Sequence, residues 1–198
     1  DVIEKTFNVS VDEILGGSIH RFHKNPKRVE KILRNPAALP HNATFSFGSI
    51  TLKTQINGVY GSNGETIGYV VNWEDVTEQT QRDRELARVM SMMDNAPINM
   101  MYADTDLVLR YINPASKKTL KTLEQYLPVK VDQLLGQNID IFHKNPAHQR
   151  RMLADHKNLP HRAKIQLGPE TLDLLVSPIF DTKGTYLGPM VSWEVITE

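Results

Sequence analysis

The chain has 198 residues with 23 basic and 23 acidic side chains, so its formal charge is zero and nothing marks a polyanion or an acidic substrate as its partner. It has no cysteine, which excludes disulfides, thiolate metal sites, covalent c-type haem attachment and flavin–cysteinyl photochemistry. No apolar run approaches the ~18–20 residues that span a bilayer, and no signal-peptide pattern opens the chain. The expectation is a soluble, cytoplasmic protein, cut from a longer chain because both ends fall inside patterned sequence.

In chain order, Val11-Asp12-Glu13-Ile14-Leu15-Gly16 reads as a short helix stopped by glycine. Phe22-His23-Lys24-Asn25-Pro26 follows. Asn is a favoured N-cap because its side-chain oxygen accepts a free backbone N–H, and Pro at the next position has φ already set for a helix. A helix is therefore expected from Pro26, with Val29, Ile32 and Leu33 on its apolar face. It ends before Leu39-Pro40-His41, since proline disfavours helix in the residue preceding it. Strands come next, with Gly61-Ser62-Asn63-Gly64 as a hairpin turn.

In the stretch 78–94, Leu86, Val89, Met90 and Met93 fall at i, i+3, i+4 and i+7 against a polar side of Arg82, Asp83, Arg84, Glu85 and Arg88. This predicts a connecting helix, either a coiled-coil seam or a stiff spacer packed on one of its domains. Residues 99–103 and 107–112 read as short strands around Asp104-Thr105-Asp106, followed by a helix with Leu120, Leu123 and Leu127 on one face. Then the earlier order recurs: Val131-Asp132-Gln133-Leu134-Leu135-Gly136, Phe142-His143-Lys144-Asn145-Pro146, a helix carrying Met152 and Leu153, and Leu159-Pro160-His161. Ala163, Ile165 and Leu167 alternate with Lys164 and Gln166, the period of a half-buried strand. Two strands, 172–180 and 186–197, flank the turn Asp181-Thr182-Lys183-Gly184.

His23 and His143, His41 and His161, and Trp73 and Trp193 all stand 120 positions apart, and residues 11–78 align without a gap onto 131–198. A unit of that length is a domain, so two homologous domains stand in tandem. The first has no counterpart of the two strands that open the second. The expected organisation is domain 1 over 1–78, incomplete at its N-terminal side, a helical linker over 79–94, and domain 2 over 95–198.

Two strands, helices and three strands, followed by a helical linker, resemble the PAS domain: an α+β fold with a five-stranded antiparallel sheet and helices on one face. FHKNP before a helix, and Trp-x-Asp-x-Thr closing the last strand, resemble the haem-binding PAS domains of soluble aerotaxis (oxygen-sensing) methyl-accepting chemoreceptors. Ile139-Asp140-Ile141 and Pro146-Ala147-His148-Gln149-Arg150 extend that likeness. The resemblance implies haem b held by the FHKNP histidine, which falls on His143 and His23 as the metal ligands. It implies a gas ligand (O2, CO or NO) held by the last-strand tryptophan, Trp193 and Trp73, with Leu174 beside it. The first unit has Thr54 in that place, which makes its pocket more polar.

Chemistry is compatible with these roles. Without cysteine a neutral imidazole is the natural axial donor, and an indole N–H is donor-only, so it can stabilise O2 without coordinating iron. Val191, Trp193 and Val195 share one face of their strand, so Trp193 should point inward. On residue grounds alone the histidines are also readable as plain turn residues and the tryptophans as core aromatics. His20, His41, His148, His156 and His161 read as surface or capping residues. Asp75-Val76-Thr77 leads into the linker helix, and the second unit has Val195-Ile196-Thr197 instead, which puts its onward signalling in doubt.

The implied function is a non-enzymatic sensory module of a chemoreceptor-like protein, dimeric through its helical linkers, with neither nucleic acid nor membrane insertion. The alternatives are a haem-free PAS pair serving as a dimerisation scaffold, or a flavin-binding redox PAS pair. The first domain is expected to be the weaker haem site.

Overall fold

The computed structural model describes residues 4–5 and 9–197. Residues 1–3, 6–8 and 198, the outermost parts of the two expected domains, lie outside the described residues. The chain divides into two compact units, Asp1–Ala87 and Arg88–Glu198.

In the first unit the FHKNP chemistry acts as expected locally. Asn25 accepts the Arg28 N–H on its side chain at 3.1 Å, and helix α1 (Pro26–Leu33) starts at the proline. Three antiparallel strands follow, β1 (His41–Phe47), β2 (Ile50–Tyr60) and β3 (Thr66–Asp75), in the order β1-β2-β3. Among the described residues β3 therefore has a partner on one side only. The stretch from Val11 forms a single 3₁₀ turn, Val11–Glu13, rather than a helix running to the glycine. Gly16 stands outside it at a φ of +77°, which its lack of a Cβ permits.

Helix α2 (Thr77–Asp94) occupies the expected linker and begins two residues before it. Its start is fixed by side chains. The Thr51 N–H donates to Thr77 Oγ1 at 2.8 Å, and Asp75 Oδ1 accepts from both the N–H and the hydroxyl of Thr77. At its far end Asp94 Oδ1 accepts the Tyr111 hydroxyl at 2.7 Å. Leu86, Val89 and Met90 of the predicted apolar stripe are exposed.

The second unit holds a five-stranded antiparallel sheet in the order β5-β4-β8-β7-β6. Its strands are β4 (Asn99–Ala103), β5 (Leu109–Ile112), β6 (His161–Leu167), β7 (Glu170–Phe180) and β8 (Tyr186–Val195). The two opening strands thus lie beside the last, with Asn99 opposite Trp193 and Met101 opposite Val191. Gly188 makes this approach possible, because a Cβ there would lie 2.1 Å from the Ala103 carbonyl oxygen. The same repeat position on β3 is Gly68, where a Cβ would meet nothing within 4 Å.

Helix α3 (Pro114–Thr122) is shorter than predicted. Leu120 lies on it and is buried, Leu123 caps it, and Leu127 falls beyond a 3₁₀ turn, Glu124–Tyr126. Pro128 follows Leu127 and keeps that residue out of helical geometry. Helix α4 (Pro146–Ala154) begins at its proline, but the Asn145 side chain makes no capping hydrogen bond. Both FHKNP helices end well before the Leu-Pro pair, with a further 3₁₀ turn between, Pro36–Ala38 in one unit and His156–Asn158 in the other. The core of the second unit joins Leu109, Ile112, Leu120, Leu123, Val131, Leu134, Leu172 and Trp193.

Candidate ligand pocket of the second unit

Between this core and the FHKNP turn lies a cavity of about 610 Å3, within the ~300–1,000 Å3 of small-molecule and cofactor sites. Its wall is mainly apolar. Met101, Leu120, Ile139, Ile141, Leu174, Val176 and Val191 contribute, and His143 and Trp193 are both part of it. Ile165 shows how the cavity bends the strand pattern, since it is exposed on β6 yet lines this space.

The turn that carries His143 is built from short-range contacts. A 3₁₀ turn, Ile139–Phe142, is capped by Asn138, whose side chain accepts the Asp140 N–H, and the His143 N–H closes it on the Asp140 carbonyl. Arg150 on α4 reaches back to grip the Asp140 carboxylate with its Nε and a terminal nitrogen. The His143 ring is fixed in turn. Its Nδ1 lies 2.8 Å from the Ile139 carbonyl oxygen, an acceptor only, so Nδ1 carries the proton and donates. In the neutral ring that leaves Nε2 with a free lone pair, the tautomer of a metal-ligating histidine whose other nitrogen is tied to a backbone carbonyl.

His23 repeats the bond, Nδ1 to the Ile19 carbonyl at 2.8 Å. The brace around it is built from different residues. His20 and Glu30 stand where Asp140 and Arg150 stand in the second unit, and His20 Nε2 is 3.4 Å from Glu30 Oε1.

Trp193 and Leu174 face each other across the β7–β8 ladder, as Thr54 and Trp73 do across β2–β3. The two tryptophans differ sharply in setting. Trp193 is 5% exposed and Trp73 61% exposed. The Thr54 hydroxyl, expected to add polarity to a pocket, donates to the Ala43 carbonyl at 3.1 Å and is satisfied within its own sheet. Of the five residues singled out from sequence, the second unit brings His143, Trp193 and Leu174 into one cavity wall. In the first unit His23 and Trp73 are both exposed.

Two buried residues escaped the sequence reading. The indole N–H of Trp193 donates to Ser116 Oγ at 3.1 Å. Ser116 and Asn113 are fully buried, and Asn113 Oδ1 accepts the N–H groups of both Ser116 and Met100. The Asn113-Pro114 pair repeats the cap logic of Asn25-Pro26 and was the one sequence signal available for it. His161, read as a surface residue, also lines the cavity.

The donor set suits a porphyrin-bound metal. One imidazole presents one nitrogen, which holds a metal when a macrocycle brings the remaining donors. Among the described residues no three His, Cys, Asp or Glu side chains gather into a conventional metal site.

No family model matches the chain. It is 40% identical over 117 residues to the methyl-accepting chemotaxis protein McpB of Pseudomonas aeruginosa, a stretch that makes up 57% of this chain and 17% of that protein. It is also 40% identical to a solved structure of the Aer2 receptor from Vibrio cholerae, described as a dual PAS-heme oxygen sensor. That match covers 50% of this chain and 95% of the other, with a TM-score of 0.48. The PAS domain of Bordetella pertussis BvgS is similar at 19% identity over 58% of this chain and 88% of its own, with a TM-score of 0.43.

Proposed function

Because the chain belongs to the family of PAS domains found in chemoreceptors, we propose that it is a sensory module of two PAS domains in tandem, residues 1–78 and 95–198 joined by a helical linker over 79–94, which binds haem b and responds to O2 or another diatomic gas. The carrying observation is His143, set in the wall of an apolar cavity with Nδ1 tied to the Ile139 carbonyl and Nε2 left for a metal. When bound, haem supplies an iron that takes one small gas molecule. The protein's own residues do the rest. Ile139 and the Asp140–Arg150 clamp hold the imidazole in one tautomer and one orientation. Leu174, Val176 and Val191 keep water from the gas position, and Trp193 supplies a hydrogen-bond donor that distinguishes a polar gas from an apolar one.

His23 carries the corresponding role in the first unit, with Trp73 as its donor. The exposure of both residues supports a weaker site there, one that takes haem only when the open side of β3 is covered. The module works in the cytoplasm as a homodimer through its linker helices, within a larger signalling protein of which this chain spans a small part. Among the described residues no helix is long and apolar enough to cross a membrane.

The test is the absorption spectrum of the purified chain with its haem-to-chain ratio. A Soret band at a ratio near one, lost in His143→Ala and retained in His148→Ala and His161→Ala, is expected. A flavin spectrum, or a Soret band that survives His143→Ala and disappears in His161→Ala, overturns the assignment.

A further inference from the structure

We propose that Ser116 is the resting acceptor of the Trp193 indole and that, by competing for its single proton, Ser116 sets how tightly the cavity holds a polar gas. The proposal rests on the gas-sensing reading above and extends it to a residue outside the cavity wall. An indole has one N–H and no acceptor, so it can serve only one partner at a time. In this structure that partner is Ser116 Oγ at 3.1 Å, in a buried bond. Trp193 lines the cavity and Ser116 does not. A gas molecule in the cavity and the serine behind the tryptophan are therefore rivals for one donor.

The rival acceptor is held firmly. Ser116 sits in the first turn of α3, where its own N–H donates to Asn113 Oδ1 at 2.9 Å. Asn113 is fully buried and holds the segment leading into β4. It accepts the Met100 N–H at 3.0 Å and donates to the Ile98 carbonyl at 2.8 Å and toward the Ala96 carbonyl at 3.5 Å. A second tie runs through the backbone of the same tryptophan, because Asn99 Nδ2 donates to the Trp193 carbonyl at 3.1 Å while the Thr119 hydroxyl reaches Asn99 Oδ1 at 2.9 Å. Turning the indole N–H from Ser116 to a gas thus releases one of two links between β8 and α3. The released link ends, through Asn113, on the residues that follow α2. Ser116 is a positioning residue: it acts through Trp193 and does not touch the gas.

The test is Ser116→Ala in the full chain, which deletes one oxygen and leaves the helix start capped. In haem-loaded protein O2 release should slow about 3- to 10-fold, because the gas-free state loses a buried hydrogen bond that the gas-bound state does not use. CO release, which depends less on a donor, should change less than about 2-fold. In a Trp193→Phe background the same substitution should change neither rate, a coupling that a merely structural serine would not produce. A readout without haem accompanies these. The indole ¹⁵N–¹H resonance of Trp193 in the cofactor-free chain should shift on Ser116→Ala, while that of Trp73 stays in place. Unchanged O2 release in haem-loaded Ser116→Ala, or an equal effect in the Trp193→Phe background, overturns the proposal. If the wild-type chain takes no haem, the gas-sensing reading and the proposed gas competition fall together. An indole shift then shows that the Ser116 bond itself was placed correctly.

Discussion

Gly68 and Gly188 occupy the same place in the repeat, and replacing each with alanine should have opposite consequences. At Gly188 a Cβ would lie 2.1 Å from the Ala103 carbonyl oxygen and within 3 Å of two backbone atoms of Asp104, where ordinary contact begins at 3.4 Å. Strands β4 and β8 would have to part by more than an ångström, across a ladder that runs from Asn99↔Trp193 to Tyr102↔Met190. The residue also holds a φ of +134°, which costs a non-glycine residue about 1–3 kcal/mol before any clash. Strain and lost pairing together put Gly188→Ala at about 3 kcal/mol or more, near the severe end for a single substitution. At roughly 4 °C per kcal/mol for a unit of this size, the unfolding transition of the second unit should fall by roughly 10–20 °C. Gly68 meets nothing within 4 Å, so Gly68→Ala should leave the first unit unchanged or raise it slightly, by about 0.4–1 kcal/mol. Calorimetric melting of the full chain resolves both. If Gly188→Ala melts within ~2 °C of wild type, or if Gly68→Ala is the more damaging, the β4–β8 packing argued above is wrong.

Three further outcomes are expected. Trp193→Phe should speed O2 release by about tenfold in stopped-flow displacement, since the gas-bound state loses a hydrogen bond to a partly charged acceptor worth ~1.5–3 kcal/mol while the gas-free state loses the weaker, neutral bond to Ser116, worth ~1 kcal/mol, with CO affected less; equal effects on both gases point to a steric role. The Thr77 hydroxyl, and then its backbone N–H, hold the Asp75 carboxyl below its ordinary value of 3.8. This brace on the start of α2 is at full strength above that value and fades as pH falls through the lowered one, so Asp75→Asn should flatten the acid limb of the first unit's stability curve. Burial, with Asp94 as hydrogen-bond partner, pushes the Tyr111 hydroxyl up to about 12. The 295 nm phenolate titration should therefore lose its latest component in Tyr111→Phe, and α2 amides near Asp94 should exchange faster.

What was legible in sequence is what local chemistry decides. The repeat set His23 against His143, and local chemistry fixed where the two helices begin: the Asn25 cap with the Pro26 ring for α1, and the Pro146 ring for α4. Leu174 came from the resemblance alone, and the β7–β8 register sets it opposite Trp193. The bond from His143 Nδ1 to the Ile139 carbonyl spans only four residues and was within reach of the same reasoning. Ser116 was not, because its meaning depends on α3 arriving behind β8, 77 positions away along the chain. Leu127 was misplaced because helical spacing was followed past the point where Pro128 forbids it. Asn145 has nearly the backbone angles of Asn25 and still does not cap with its side chain; nothing in the structure explains the difference.

The cavity of the second unit has a consequence for the life of the chain before it senses anything. Space of about 610 Å3, walled by the residues that would otherwise close the centre of the unit, ties folding to supply. A molecule that binds only the folded form, at a hundred times its dissociation constant, adds about 2.7 kcal/mol to stability. The steady amount of intact protein in a cell would then follow the availability of the occupant, and abundance itself would report on that supply.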